Sequence, residues 1–303
     1  MRLLDLLQAT DVHFVVLHDE ELVGTTALDS DVDIAVDRRA DEVLQRLEAG
    51  LTREEIVVAL IWPYDVGGGA SCFFARRDGS GGAQVDMLYD PHGRGRYGLR
   101  TSQIIADRKQ GARYPVPQQL DRLLYTVVKS RLKGEFDEVR AEIKRVEAVF
   151  SRNAGETRAQ QLFSPAIASL LRELFDDREA PQTARPIRWI RSVPRIAMRI
   201  RRPIGYWVEI VGPATQAEDL AKKLEARIAP WLVVAGLGAR PEWFRVFLWW
   251  FTRVLPVRWR AGIFVSWTER TRRVVQPDLV LPIADIDIVT PRVVIAMAKR
   301  AAS

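Results

Sequence analysis

Three aspartates in two short apolar stretches have the residue type and spacing of a metal site. Asp31 and Asp33 lie in the run Ser-Asp-Val-Asp-Ile-Ala-Val, and Asp86 follows Gln84 and Val85 in a second apolar run. Alternate side chains of a strand point to one face, so Asp31 and Asp33 would lie about 6–7 Å apart on the same side. Converging carboxylates repel one another unless a cation joins them, and hard oxygen ligands select Mg²⁺. The pattern predicts a magnesium site at Asp31, Asp33 and Asp86.

A glycine turn comes before the paired aspartates. Gly24, Thr25 and Thr26 follow an apolar stretch that favours a strand, and Ser30 directly precedes Asp31. Glycine lets the backbone approach a phosphate closely, and the hydroxyl and N–H groups that follow can bind it. The turn and Ser30 are therefore candidate nucleotide-binding residues beside the carboxylates.

This order resembles the nucleotidyltransferase superfamily with a polymerase-β-like palm, whose motif is Gly-Ser, then Asp-x-Asp, then a third acidic residue. Gly24-Thr25 corresponds to Gly-Ser, Asp31 and Asp33 to the pair, and Asp86 to the third position. Threonine keeps the hydroxyl, whereas the gap to Asp31 is short and lacks the glycine usual there. The resemblance implies transfer of a nucleoside monophosphate from an NTP to an acceptor hydroxyl or phosphate. Two Mg²⁺ ions would be held by the three catalytic aspartates.

Residues 1–115, the predicted palm, must position these side chains. Short apolar runs bounded by glycine clusters favour strands, and periodic apolar residues favour helices. We expect helices at 3–9 and 40–49, and strands at 13–17, 31–36, 56–62, 71–75 and 84–88. The strand that carries Asp86 should pair beside the one that carries Asp33, in a mixed sheet of four to five strands.

Residues 116–184 change to a helical period. Apolar residues from Leu120 to Leu132 predict a helix that Gly134 breaks, followed by helices at 136–150 and about 164–175. Lys129 and Lys133 are four residues apart, so both lie on one helix face and could reach a triphosphate. A solvated helix face is the alternative. Other candidates for the phosphate contact are Arg38, Arg76 and Arg77.

A basic segment at 185–202 contains no acidic residue and separates the predicted helical domain from the rest of the chain. Three readings stay open for it: a solvated linker, a contact to an anionic polymer, or a contact to an anionic membrane surface. Prolines at 186, 194 and 203 argue against one long amphipathic helix.

Residues 203–303 begin with a strand at 206–211, a Gly212-Pro213 turn and a helix. This start resembles a thymidylate-kinase-like P-loop domain. Acidic residues, Glu218 and Asp219, stand near the positions where such a loop has Lys and Ser or Thr, and carboxylates there would repel phosphate. The resemblance therefore implies a degenerate domain, a pseudokinase without phosphoryl transfer.

The predicted fold class is α/β: an α+β palm with a mixed sheet, a helical middle segment and a C-terminal α/β P-loop-kinase-like domain. The pairing of domains resembles bacterial proteins in which a nucleotidyltransferase-like domain is fused to a thymidylate-kinase-like one, often near surface-polysaccharide clusters. The implied partners are an NTP and an acceptor, whether glycan, small molecule, protein or tRNA.

Composition fits this reading. The chain has 303 residues, a formal charge of +6 and a pI near 9.7, which favours acidic partners such as nucleotides. Its one cysteine, Cys72, excludes an internal disulfide framework and favours a reducing compartment. Because the N-terminal segment becomes charged at Arg2 and Asp5, we expect no signal peptide. We expect a cytoplasmic protein, with peripheral membrane contact as a variant.

Two other functions stay open. One is a catalytically inactive nucleotide-binding or scaffold protein, because one domain already lacks its phosphate-binding residues. The other is a nucleotidyltransferase that modifies tRNA or another nucleic acid, including a toxin. A second Asp-x-Asp pair, Asp285 and Asp287, has neither a glycine turn before it nor a later acidic strand, so we interpret it as structural.

Overall fold

The structure, a computed structural model, describes residues 3–17, 32–63, 68–89, 98–133, 136–176, 206–229, 232, 234–238, 243, 247, 263–268 and 277–301. Several residues of the predicted site lie outside the described residues, as does the basic segment 185–202: Gly24, Thr25, Thr26, Ser30 and Asp31. The described chain is mixed α/β with one mixed sheet, which confirms the predicted fold class at that level.

The first sheet has five strands in the order β1-β2-β5-β4-β3. They are β1 (Phe14–Val16), β2 (Val32–Val36), β3 (Ile56–Pro63), β4 (Ala70–Arg76) and β5 (Gly82–Leu88). β2 and β5 run parallel, whereas the other neighbours are antiparallel. The predicted strands and the pairing of β2 with β5 are confirmed. Two helices, α1 (Leu3–Gln8) and α2 (Ala40–Arg53), pack against one face of this sheet.

Five helices contribute to the core on the other face, over β1, β2 and β5. They are α3 (Thr101–Ala106), α4 (Gln119–Lys133), α5 (Phe136–Val149), α6 (Arg152–Leu162) and α7 (Pro165–Phe175). A two-stranded ribbon, β6 (Lys109–Gln110) with β7 (Pro115–Val116), leads into α4. The apolar residues of α4 that face this core are Leu123, Leu124, Val127 and Val128. Their spacing is the one from which the sequence predicted the helix.

The second sheet is parallel, in the order β11-β8-β10-β9. Its strands are β8 (Tyr206–Val211), β9 (Val234–Gly238), β10 (Ile263–Thr268) and β11 (Leu279–Pro282). Two helices, α8 (Ala214–Ile228) and α9 (Ile286–Ala301), pack on one of its faces. Parallel strands require crossover connections, and α8 lies in the one that joins β8 to β9, two positions away in the sheet.

Helix α9 joins the two sheets. It packs against β3, and one apolar cluster combines its residues with those of β8 and with Ala59, Phe73 and Ala75 of the first sheet. Two groups of elements therefore cover the face of the first sheet opposite α1 and α2. Helices α3–α7 pack on the half around β2, and the C-terminal elements pack on the half around β3 and β4.

Helix α2 is longer than predicted. The sequence predicted an end at residue 49, and a glycine at the next position costs helix stability. Gly50 instead lies inside α2, where it packs against Leu6, and the helix continues so that Leu51 is buried. Tertiary packing outweighs the cost of the glycine.

Among the described helices, none combines the length and the apolar character that crossing a bilayer requires.

Candidate active site

The candidate site is a row of polar side chains across three neighbouring strands. Asp33 of β2 is paired directly with Asp86 of β5, and Asp86 is paired with Ser71 of β4. Directly paired residues project to the same face, with adjacent strands about 4.8 Å apart. All three are buried; Asp33 and Asp86 are 1% and 3% exposed. Carboxylates this deeply buried need donors or cations, because an uncompensated buried charge is costly.

Helix α4 supplies donors to Asp33. The hydroxyl of Tyr125 donates to Oδ2 of Asp33 at 2.8 Å, and the ammonium of Lys129 forms an ion pair with the same oxygen. Tyr125 and Lys129 are four residues apart, so one helix face presents both groups. The Lys129 side chain is 17% exposed, whereas Asp33 is almost fully enclosed.

The first sheet supplies neutral donors to Asp86. The hydroxyl of Ser71 donates to its Oδ1, and the amide of Gln84 donates to the same oxygen at 3.0 Å. Gln84 lies two residues before Asp86 on β5, so both side chains face the same way. The two carboxylates thus have different environments: a cation contacts Asp33, and neutral groups contact this oxygen of Asp86.

An arginine clamp fixes α4 one turn before Tyr125. Arg158 of α6 donates two hydrogen bonds, each 2.7 Å long, to buried Asp121 and a third to Asp107. These carboxylates raise the pKa of Arg158, with the Asp121 hydrogen bond the largest cause. Hydrogen bonds from Gln103 and then Arg158 lower the pKa of Asp107. Asp121, Tyr125 and Lys129 follow one another at four-residue intervals, so the clamp and the site share one helix stripe.

The predicted residues are brought together only in part within the described chain. Asp33 and Asp86 lie side by side, as the pairing of their strands requires. Lys129, predicted to contact a triphosphate, lies against Asp33. Lys133 is the last residue of α4, one turn beyond Lys129.

The donor chemistry of Asp33 and Asp86 suits Mg²⁺, since both offer carboxylate oxygens at adjacent positions. Within the described ranges, no group of three or more His, Cys, Asp or Glu is arranged to hold a metal ion. The described residues therefore contribute two carboxylates of the predicted set. The third, Asp31, belongs to the sequence that precedes β2.

Two of the alternative phosphate contacts, Arg38 and Arg76, pair with other carboxylates. Arg38 donates to Asp37 at 3.0 Å and to Asp11 at 3.2 Å, and these contacts raise its pKa. Arg76 lies 3.8 Å from Asp78 in the turn between β4 and β5. Arg77 follows it in the same turn, exposed at the surface.

The carboxylates that the sequence singled out in the C-terminal part contact local partners. Glu218 and Asp219 on α8 form ion pairs with Lys222 and Lys223, at 2.8 and 2.7 Å. Each pair has the four-residue spacing of a solvated helix surface. In the second Asp-x-Asp pair, Asp285 accepts the backbone N–H of residue 287 at 2.9 Å, at the start of α9.

A buried polar chain on β8 and β10 was not predicted. The indole of Trp207 donates to the hydroxyl of Ser266 at 2.8 Å, and that hydroxyl donates to Glu209 at 3.3 Å. All three side chains are at most 1% exposed. They lie on paired strands, and the alternation of β8 places Trp207 and Glu209 on the face opposite α8.

Sequence reasoning also missed Tyr125, Ser71 and Gln84. Two carried a readable signal: Tyr125 precedes Lys129 by one helical turn, and Gln84 precedes Asp86 by one strand repeat. Ser71 had none, because its position beside Asp86 depends on the register of β4 against β5.

Comparison of the chain with protein-family models, with curated proteins and with solved structures finds no match.

Proposed function

We propose that this chain is a Mg²⁺-dependent nucleotidyltransferase that moves a nucleoside monophosphate from an NTP to an acceptor hydroxyl or phosphate and releases pyrophosphate. The observation that carries the proposal is the direct pairing of Asp33 with Asp86 in the first sheet, both buried, with the Lys129 ammonium against Asp33. A structural surface pair would be solvated instead. Further support comes from the sequence, in which a Gly-Thr turn, an Asp-x-Asp pair and a third aspartate follow one another in the order of the nucleotidyltransferase motif.

In this proposal, Asp33, Asp86 and Asp31 would hold the metal. When bound, two Mg²⁺ ions would neutralise the triphosphate and lower the pKa of the acceptor hydroxyl. Asp86 accepts the proton of that hydroxyl on a carboxylate oxygen. The acceptor oxygen forms a bond to the α-phosphorus as the bond to the pyrophosphate oxygen breaks.

Other residues of the chain bind the leaving group. The Gly24-Thr25-Thr26 turn and Ser30 contact the phosphates through backbone N–H and hydroxyl groups. Lys129 and Lys133 add positive charge from α4. The donors to Asp33 and Asp86 fix the orientation of both carboxylates before substrate arrives, and such preorganisation is a main source of catalytic power.

The C-terminal part is proposed to be a degenerate kinase-like domain. Its parallel sheet and the β8–turn–α8 unit suit a P-loop architecture. Glu218 and Asp219 near the phosphate position argue against phosphoryl transfer by this part.

A nucleotide-binding scaffold is the second candidate, and one observation favours it. The Lys129–Asp33 ion pair places a protein cation at a carboxylate that the enzyme would use for metal. A permanent pair of this kind would leave nucleotide binding independent of Mg²⁺.

Turnover separates the candidates. Pyrophosphate release is measured with each NTP, Mg²⁺ and a panel of acceptors that includes glycans, small molecules, proteins and tRNA. We expect release with one combination, and its loss in Asp33→Asn and in Asp86→Asn while circular dichroism stays unchanged. Full activity in either variant would show that the assignment of these carboxylates is wrong.

A further inference from the structure

Lys129 occupies a position that a metal ion would also seek. Its ammonium contacts Oδ2 of Asp33, the same oxygen that accepts the Tyr125 hydrogen bond. Asp33 is 2% exposed in its side chain, so the ion pair is shielded from water on the carboxylate side. Two cations with full charge do not share one carboxylate oxygen without repulsion. A metal ion that coordinates Oδ2 of Asp33 must therefore alter the Lys129 contact.

The lysine side chain is suited to such a change. Its ammonium is a compact charge on a flexible four-carbon stem, unlike the rigid fork of arginine. The Lys129 side chain is 17% exposed, so part of it already borders solvent. Tyr125 is 1% exposed and donates a neutral hydrogen bond, which can stay in place when the cation at Asp33 changes.

The helix that carries both groups is held independently of Asp33. Arg158 binds Asp121 through two hydrogen bonds and links it to Asp107, one turn before Tyr125. The apolar residues of α4 are buried in the core shared with β1 and β2. A change at Lys129 is therefore a side-chain movement, since α4 keeps its other anchors.

We propose that Lys129 is an exchangeable counter-ion: it neutralises Asp33 in the metal-free protein, leaves when a divalent cation binds there, and then pairs with the phosphates of the nucleotide. This inference rests on the proposed function and describes how metal and nucleotide binding are coupled at that site. A metal ion alone must break an ion pair. With a triphosphate present, the displaced ammonium gains a new anionic partner, so each ligand strengthens binding of the other.

The exchange predicts opposite effects on two affinities when Lys129 is neutralised. Mn²⁺ binding to the full-length chain is followed by electron paramagnetic resonance, for wild type and Lys129→Met. Binding of inorganic triphosphate at saturating Mg²⁺ is followed by calorimetry. We expect Lys129→Met to bind Mn²⁺ about tenfold more tightly and Mg²⁺-triphosphate about tenfold more weakly, within the range usual for coupled sites.

Two further variants complete the design. Lys144→Met removes an exposed lysine of α5 and controls for net charge, so it should match wild type in both titrations. Lys129→Gln removes the charge but keeps a donor for Asp33, which preserves folding if Lys129→Met does not fold. It should shift both affinities in the same directions as Lys129→Met.

The outcomes separate the inference from the proposed function. One outcome is that wild type binds both ligands and the neutral Lys129 variants have the same two affinities as Lys144→Met. The exchange is then wrong, whereas the proposed metal site is still supported. A loss of both affinities in the Lys129 variants also overturns the exchange, because a merely structural lysine would give that result. If folded wild type binds neither Mn²⁺ nor Mg²⁺-triphosphate, the proposed function fails and the inference fails with it.

Discussion

Asp33 and Asp86 are directly paired on neighbouring parallel strands, yet different groups hold them: Lys129 and Tyr125 from a helix at Asp33, and Ser71 and Gln84 from the sheet at Asp86. The sheet thus fixes Asp86, whereas Asp33 depends on the docking of α4. The integrity of the site is therefore tied to whatever keeps α4 in place.

The Arg158–Asp121 pair is the first such anchor to test. Asp121 is 1% exposed in its side chain, so Arg158→Met leaves a buried carboxylate without its guanidinium. We expect a loss of about 3–5 kcal/mol in the free energy of unfolding, measured by urea denaturation.

The matched control for this anchor is the double variant Arg158→Met/Asp121→Leu. It replaces both charges with apolar groups and should recover most of the loss, since a buried ion pair is often no better than apolar packing. A loss below about 1 kcal/mol in the single variant, the range of exposed ion pairs, would contradict a buried clamp.

The turn between β4 and β5 provides a test of packing between the first sheet and α9. Gly79 has a φ of 73°, and an added Cβ would collide with Cγ2 of Thr290. Gly79→Ala should destabilise the protein by about 1–3 kcal/mol, because it adds both overpacking and backbone strain.

Gly81 in the same turn is the control for Gly79. An added Cβ at Gly81 meets nothing within 4 Å. Gly81→Ala should change the free energy of unfolding by no more than about 0.5 kcal/mol. Equal thermal melting of the two alanine variants would show that the turn does not pack against α9 as described.

Cys72 gives a prediction for alkaline pH. The side chain is fully buried on β4, and burial raises the pKa of its thiol to about 12 from an ordinary value of 9.0. Above pH 9 the unfolded thiol ionises and the folded thiol stays protonated, so unfolding becomes easier. The contribution of Cys72 to stability should be complete below pH 9 and decline as pH rises towards 12.

The measurement is the stability difference between wild type and Cys72→Ala across that pH range, which cancels the titration of other groups. The difference in the free energy of unfolding between wild type and Cys72→Ala should become smaller above pH 9. A thiol reagent at pH 8 should modify the native protein far more slowly than the urea-unfolded chain. Rapid labelling of native protein would contradict the burial of Cys72.

Local patterns predicted the first sheet well, because each of its strands is a short apolar run bounded by glycines or polar turns. The same patterns failed for α6 and α9. Helix α6 is polar and contains Gly155, which packs against Phe175. Helix α9 contains Pro291 and a run of β-branched residues, which disfavour a helix in isolation. Burial of Val293 and Met297 between the sheets outweighs that local preference.

In the site, too, local patterns predicted the features of single elements, whereas contacts between elements could not be predicted. Alternation along a strand predicted that Asp31 and Asp33 share one face, and the second apolar run predicted that the strand of Asp86 could pair beside that of Asp33. The donors to those carboxylates come from other elements, so their identity depends on strand register and helix docking. Lys129 lies on a helix, as the apolar period predicted, but its contact with Asp33 could not be read from spacing.

Calorimetric titration with each of the four NTPs, with and without Mg²⁺, tests the nucleotide-binding claim most directly. It compares wild type with Asp33→Asn/Asp86→Asn and with Asp285→Asn/Asp287→Asn, which alters the other Asp-x-Asp pair. We expect Mg²⁺-dependent binding of at least one NTP by wild type and by the control, and its loss in the site variant with the fold intact. Absence of binding to wild type, or equal binding by the site variant, would contradict a nucleotidyltransferase site at Asp33 and Asp86.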